Sequence, residues 1–165
     1  MRSALRLLQF FALGTWVGAI LYFSAIVAPG AFRTMANPDQ AGDLVAFLIG
    51  RLHVAGIVLG VIYLLATMLV AKSARALGSG ASICVMLMVI LTAISQYMVV
   101  ARMEALSLTM GSVWATPPEM PIRVAFEHLH DVSVWMEVVI LVAGVAALYL
   151  TARDASAPVR AENRA

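Results

Sequence analysis

Two histidines and two glutamates near the ends of apolar segments are the residues of this sequence that could do chemistry. His53 begins one apolar segment, Glu137 lies five residues inside another, His130 comes shortly before that segment, and Glu104 follows the end of a third. Imidazole nitrogens and carboxylate oxygens bind metal ions and exchange protons near neutral pH. We therefore predict a site for a small cation, a metal ion or a proton, with His53, His130, Glu137 and Glu104 as candidate ligands.

Other polar residues are expected at a similar depth. His130, Ser133 and Glu137 are spaced i, i+3 and i+7, so they share one face of a helix. Gln96 lies five residues inside the end of its segment and Glu137 five residues inside the start of its own, so both should lie about 8 Å below the same edge. The supporting cluster is predicted to comprise Arg51, Gln96, Arg102 and Ser133.

Several interpretations of this cluster stay open. A carboxylate inside a membrane costs at least a few kcal/mol and suggests function. Alternatively, Glu137 is protonated, or paired with Arg51 or Arg102, and only holds helices together, which would make the chain a structural or assembly protein. A third interpretation is a b-type haem held by His53 and His130. Methionines near the same edge would suit Cu(I), but methionine also fills gaps in apolar cores. A single Glu-x-x-His pair is too little for a di-iron site.

The composition decides where the chain resides. Of its 165 residues, 62% are hydrophobic and 12% charged, with a mean hydropathy of +0.94. Soluble domains are about 45–50% apolar and about 25% charged. These values exclude a cytosolic enzyme domain, a disordered segment and a nucleic-acid binder, and make the lipid bilayer the principal partner. Cys84 is the single cysteine, so no intrachain disulfide can form, and no P-loop, dinucleotide or zinc-protease motif is present.

Four apolar runs are long enough to cross a bilayer as helices: residues 7–28, 52–71, 83–101 and 132–150. We predict an all-α, antiparallel four-helix transmembrane domain over residues 1–153 and a polar cytoplasmic tail over 154–165. Asn37-Pro38 and the prolines before Ile122 predict helix starts that continue into the second and fourth spans. The first run could be a signal peptide, but its 22 residues exceed the usual ~7–15 apolar residues, which favours a retained span.

The charges and the small residues predict the orientation and possible contacts. Seven Lys and Arg residues fall on the N-terminal side of the membrane and four on the other, which predicts that both termini are cytoplasmic and that the polar cluster lies in the outer leaflet.

Two glycine pairs, Gly14 with Gly18 and Gly56 with Gly60, allow close approach of helices. They could form a homo-oligomer seam, or simply pack within one bundle.

The order of several short motifs resembles the DUF4149 family. The motifs are Leu13-Gly-Thr-Trp-Val-Gly18, Tyr22-Phe-Ser24, Ala28-Pro29, Arg51-Leu-His53, Gln96, Arg102-Met-Glu104 and Phe126-x-x-Leu-His130-x-x-Ser133-x-x-x-Glu137. This family includes bacterial proteins similar to the eukaryotic transmembrane protein 205. The resemblance implies a four-span membrane protein of undefined activity, which we expect in a bacterial inner membrane, and supplies no catalytic residue.

The orientation can be tested with single cysteines in a Cys84→Ala background. Reporters at Gly78 and at Thr116 should react with membrane-impermeant reagents from opposite sides, because an odd number of spans separates them. Labelling of both positions from outside intact cells would contradict the span count.

Overall fold

The computed structural model describes the backbone of residues 2–162 and the side chains of residues 3–155, and in this part of the chain no strand is present. The α-helices are α1 (Arg2–Tyr22), α2 (Ala28–Thr34), α3 (Pro38–Ala71), α4 (Gly80–Ile94), α5 (Ala101–Met110) and α6 (Pro121–Glu162). Two π-helical turns, Phe23–Val27 and Ser95–Val100, join α1 to α2 and α4 to α5, and a 3-10 turn, Ala74–Gly78, precedes α4.

These helices form four apolar rods, which we call spans one to four: Ser3–Thr34, Pro38–Ala71, Gly80–Met110 and Pro121–Ala155. Each is long and apolar enough to cross a membrane, which confirms the predicted all-α class with four apolar helices. The helices are longer than the apolar runs by which the spans were predicted, because they continue into polar flanking residues. Helix α6 continues through Glu162, so the predicted tail begins inside this helix, and the side chains of residues 156–165 lie outside the described part.

Local signals in the sequence place the helix ends. Asn37 caps α3 by accepting a hydrogen bond from the Asp39 backbone N–H at 2.9 Å, with Pro38 in the first turn, as predicted. The same helix ends at Lys72, whose left-handed backbone (φ 52°) stops the helical hydrogen bonds. Ser79 caps α4 through the Ser82 N–H. These stops leave short connections between long spans.

The four spans pack in a closed ring. Helix α1 contacts α3 and α6, while α4 contacts the other sides of α3 and α6. Gln9, near the start of α1, donates to Thr67, near the end of α3, so these two helix ends lie side by side. We call the end with the start of α1 and residues 72–79 the terminal end, and the end with residues 35–37 and 111–120 the loop end.

The Trp16 side chain is the largest fully buried group among the described residues, and it lies against two glycines of α3. A Cβ at Gly56 would overlap the Trp16 indole, and one at Gly60 would lie 2.8 Å from Trp16 Cζ3. The Gly56–Gly60 pair therefore serves packing inside one chain. At Gly14 and Gly18, by contrast, an added Cβ would meet no described heavy atom within 4 Å, so a homo-oligomer through them stays a prediction.

At the loop end, Asp39 fastens the connection between α5 and α6. Its carboxylate accepts from the Ser112 hydroxyl at 2.6 Å and from the backbone N–H groups of Val113 and Trp114 at 3.0 and 3.3 Å. Arg123 donates to the Val113 carbonyl and lies 5.7 Å from the centre of the Trp114 ring. The connection is thereby held against the starts of spans two and four.

The Trp16 packing predicts a difference between two equivalent-looking glycines. Gly56→Ala should destabilise the bundle by about 1–3 kcal/mol, because the added methyl group overlaps the indole. Gly14→Ala is the matched control and should melt at or slightly above the wild-type temperature, because its added methyl group meets no described atom and alanine favours a helix. Detergent melting curves measure both, and equal melting of the two variants would contradict the packing. Chemical crosslinking of Gly14→Ala tests the predicted oligomer seam in the same preparations.

Candidate functional site

His53 lies on the buried face of α3. It shares that face with Gly56, Gly60 and Tyr63, which follow at i+3, i+7 and i+10, so the helical repeat turns all four toward the other spans. The His53 side chain is only 2% exposed. A histidine this deeply buried must find partners for both ring nitrogens inside the protein.

Gln96 of span three is the partner of one ring nitrogen. Its Oε1 lies 2.8 Å from His53 Nδ1. With the amide in this orientation its oxygen accepts from Nδ1–H, and the lone pair of a neutral imidazole is on Nε2. With the amide turned over, its NH2 group donates to Nδ1, and Nε2 carries the hydrogen. Gln96 belongs to the π-helical turn Ser95–Val100, and such turns occur frequently at functional sites because they redirect side chains.

Glu137 of span four faces the other ring nitrogen. Its Oε2 lies 3.6 Å from His53 Nε2, and both atoms are buried without a hydrogen-bond partner among the described residues. In the first of these tautomers the carboxylate oxygen and Nε2 are both acceptors, so a shared proton or cation is needed between them. With a proton, either an imidazolium faces the carboxylate or a carboxylic acid faces a neutral imidazole. We call His53, Gln96 and Glu137 the polar triad.

Two buried hydroxyls lie on span three near Gln96. Thr92 is 1% exposed and Ser95 is fully buried, and neither side-chain oxygen has a hydrogen-bond partner within the described part of the chain. Thr92 is not among the residues predicted from the sequence, although its i, i+4 spacing to Gln96 places both on one face. The loop-end half of the bundle thus carries more hydrogen-bonding capacity than its described residues satisfy.

The remaining predicted site residues lie outside the triad. His130 is 59% exposed, with its Nδ1 3.9 Å from an Asp131 carboxylate oxygen. Glu104 and Arg102 form no ion pair with a described side chain. Ser133 is half-buried, one turn before Glu137. The structure therefore brings His53, Gln96 and Glu137 together, and it does not bring His130 or Glu104 to them.

Neither predicted arginine pairs with Glu137. Arg51 is exposed and its guanidinium lies 5.1 Å from the centre of the Phe47 ring, a cation–π contact within α3. The partner of Glu137 is His53, because His53 is on the buried face of α3 whereas Arg51 is two residues away on the opposite side. The predicted Arg–Glu pairing inside the bundle is absent from the described residues.

The residues fit a large cofactor or a multi-ligand metal poorly. Over the described side chains, no group of three or more His, Cys, Asp and Glu residues is arranged to hold a metal ion. His53 directs both nitrogens at Gln96 and Glu137, whereas His130 is exposed beside Asp131, so they do not form the facing pair that a b-type haem requires.

A second polar cluster, which the sequence patterns did not predict, lies at the terminal end. Tyr63 OH is 2.7 Å from Thr151 Oγ1, and Gln9 donates to Thr67 at 2.7 Å. Tyr63 follows His53 by ten residues, so the two clusters lie about 15 Å apart along α3. Trp16 and the apolar residues around Gly56 and Gly60 occupy the layer between them.

A family model described as a domain of unknown function, DUF4149, matches residues 11–112. The chain belongs to the DUF4149 family. The matched region contains His53 and Gln96, whereas Glu137 lies beyond its end, in span four. No curated protein and no solved structure matches this DUF4149 chain. Its similarity to transmembrane protein 205 stays a prediction.

The positions of Arg51 and Arg102 predict different responses to lysine. Arg102→Lys should change the free energy of unfolding by no more than about 0.5 kcal/mol, because its guanidinium forms no planar pair with a described carboxylate. Arg51→Lys should cost up to about 1 kcal/mol, because lysine does not reproduce the stacking of the guanidinium on the Phe47 ring. Melting curves in detergent check this. A larger loss of stability in either lysine variant would contradict this prediction and indicate that the arginine forms a bidentate pair with a carboxylate.

Proposed function

We propose that this DUF4149 protein binds and helps to move a small cation across the membrane, and that the cation is a proton carried by the polar triad. One observation supports the proposal most: two buried polar atoms, His53 Nε2 and Glu137 Oε2, face each other at 3.6 Å, and neither has a hydrogen-bond partner among the described residues. Such a pair is stable in a low-dielectric interior when it holds one positive charge. The two groups are also those that exchange protons most readily in proteins.

The donor set favours a proton over a metal ion. Protein metal sites with histidine and carboxylate ligands commonly use three or more protein ligands. The triad offers one free imidazole nitrogen and one carboxylate, since Nδ1 is already hydrogen-bonded to the Gln96 amide. Elemental analysis of the purified protein distinguishes the two cations. If the wild type contains a stoichiometric metal that His53→Asn loses, the cation is a metal ion and not a proton.

The predicted orientation gives the proton a direction. If both termini are cytoplasmic in a bacterial inner membrane, the loop end faces outward and the triad lies in the outer half of the membrane. A proton would then reach Glu137 from outside, and the apolar layer around Trp16 would separate it from the Tyr63–Thr151 cluster. That layer must open, or hydrate, for a proton to cross.

Proton movement is measured in proteoliposomes with a trapped pH-sensitive dye and an imposed pH gradient. Glu137→Gln keeps the shape of the side chain and removes its ionisable group, and His53→Asn removes the imidazole. Each should lower the flux by roughly a hundredfold, the low end of what a positioned proton donor contributes. Glu104→Gln and His130→Asn are the matched controls and should retain the wild-type flux, because both residues lie outside the triad.

Infrared spectroscopy of the carboxyl stretch reports on binding independently of flux. A pH-dependent carboxylic-acid band that disappears in Glu137→Gln would show that the triad holds a proton. If Glu137→Gln keeps the flux and the infrared titration of the wild type, the proposal fails. If it only lowers the melting temperature, the triad is structural and the chain is an assembly protein without a ligand.

A further inference from the structure

A cavity separate from the polar triad lies at the terminal end of the bundle. Its volume is about 190 Å³, and residues from all four spans and from the turn between spans two and three line it. The polar residues among them are Arg6, Gln9, Tyr63, Thr67, Ser79, Thr151 and Asp154. Because every span contributes to its lining, the cavity forms only when all four spans are packed together.

Two groups in this cavity lack partners among the described residues. The Arg6 guanidinium is half-buried and has no hydrogen bond or ion pair there. Gln9 is only 7% exposed, and its Nε2 donates to Thr67 at 2.7 Å, but its carbonyl oxygen has no described donor and is accessible from outside the protein. The Arg6 guanidinium and the Gln9 carbonyl oxygen are therefore both free to bind polar atoms of a ligand.

Of the other polar groups in the cavity, Tyr63 and Thr151 are already hydrogen-bonded, and Asp154 carries a charge opposite to that of Arg6. The hydroxyls of Tyr63 and Thr151 bond to each other at 2.7 Å and form a neutral wall. Asp154 supplies a carboxylate, which is 55% exposed and lies 3.7 Å from Arg153 Nε. The described lining thus presents one guanidinium, one amide acceptor and one carboxylate. A simple anion would meet Asp154, and a simple cation would meet Arg6.

We propose that this cavity binds a zwitterion made of a phosphate and a primary ammonium, the chemistry of phosphoethanolamine. The Arg6 guanidinium donates to the phosphate oxygens, a charge-assisted pairing that suits its forked geometry. The ammonium donates to the Gln9 carbonyl oxygen and to Asp154, because it has three hydrogens and needs acceptors alone. Binding in this cavity is independent of the proton function of the triad.

The depth of the cavity suits the headgroup region of a bilayer. Thr67 lies four residues before the end of α3, so it is about 6 Å below that end. Phe10 and Val70 add apolar wall beside the polar groups. The same zwitterion could come from phosphatidylethanolamine or from the free phosphomonoester, and a lipid probe and a soluble probe distinguish these sources.

Binding is measured by native mass spectrometry and by melting curves of the full chain in detergent. The added probes are phosphatidylethanolamine, phosphatidylcholine, phosphatidylglycerol and soluble O-phosphoethanolamine. We expect a raised melting temperature and a retained molecule with an ethanolamine probe. Phosphatidylcholine, whose ammonium has no hydrogen to donate, and phosphatidylglycerol, which has no ammonium, should have smaller effects. A response to the lipid alone identifies a headgroup site, and an equal response to the soluble compound identifies a site for the free zwitterion.

Variants assign the binding to this cavity. Arg6→Gln and Asp154→Asn should each weaken binding about tenfold or more, because each removes one charged partner. Arg75→Gln is the matched control, since Arg75 is exposed on the same end and is not part of the cavity lining. Asp154 is half-exposed, so Asp154→Asn should fold even if Arg6→Gln does not. Binding of all three lipids with equal strength, stronger binding of phosphatidylglycerol, or binding unchanged in Asp154→Asn would each overturn the proposal.

Discussion

The seating of Trp16 against Gly56 and Gly60 is the contact on which the rest of the bundle depends. It lets α1 approach α3 closely, and it fills the middle of the molecule with an indole and its apolar neighbours. The polar groups are thereby confined to two layers, one around His53 and one around Tyr63. This apolar layer separates the His53 cluster from the Tyr63 cluster, so each is a discrete polar site.

The absence of water in a bilayer sets the chemistry of both layers. Each buried polar atom must find a partner inside the protein, in lipid headgroups or in a bound ligand. At the terminal end, hydroxyls satisfy one another, as in the Tyr63–Thr151 pair. At the loop end, His53 Nε2 and Glu137 Oε2 face each other at 3.6 Å, and both are buried without a hydrogen-bond partner among the described residues. This difference is why we place the cation function at the loop end.

The π-helical turn in span three shows how local irregularity positions a site. In an unbroken α-helix from Gly80 to Met110 every residue would turn by the same angle, so the residues after Ser95 would face other directions than those the π-helical turn gives them. The turn directs the Gln96 amide to His53 Nδ1, which leaves Nε2 toward Glu137. The triad thus depends on three spans and on one irregular segment, which the sequence patterns did not predict.

The sequence by itself determined the all-α class and the four apolar spans, because hydropathy and helix starts such as Asn37-Pro38 are local properties. It also indicated His53, Gln96 and Glu137 as members of one polar level. Only the tertiary structure separated these three from His130, Glu104 and Arg51, because which side of a long helix is buried depends on how its neighbours pack. It likewise decided that Gly56 and Gly60 hold Trp16, and it assembled the terminal cavity from residues too far apart in the chain for any local pattern to join.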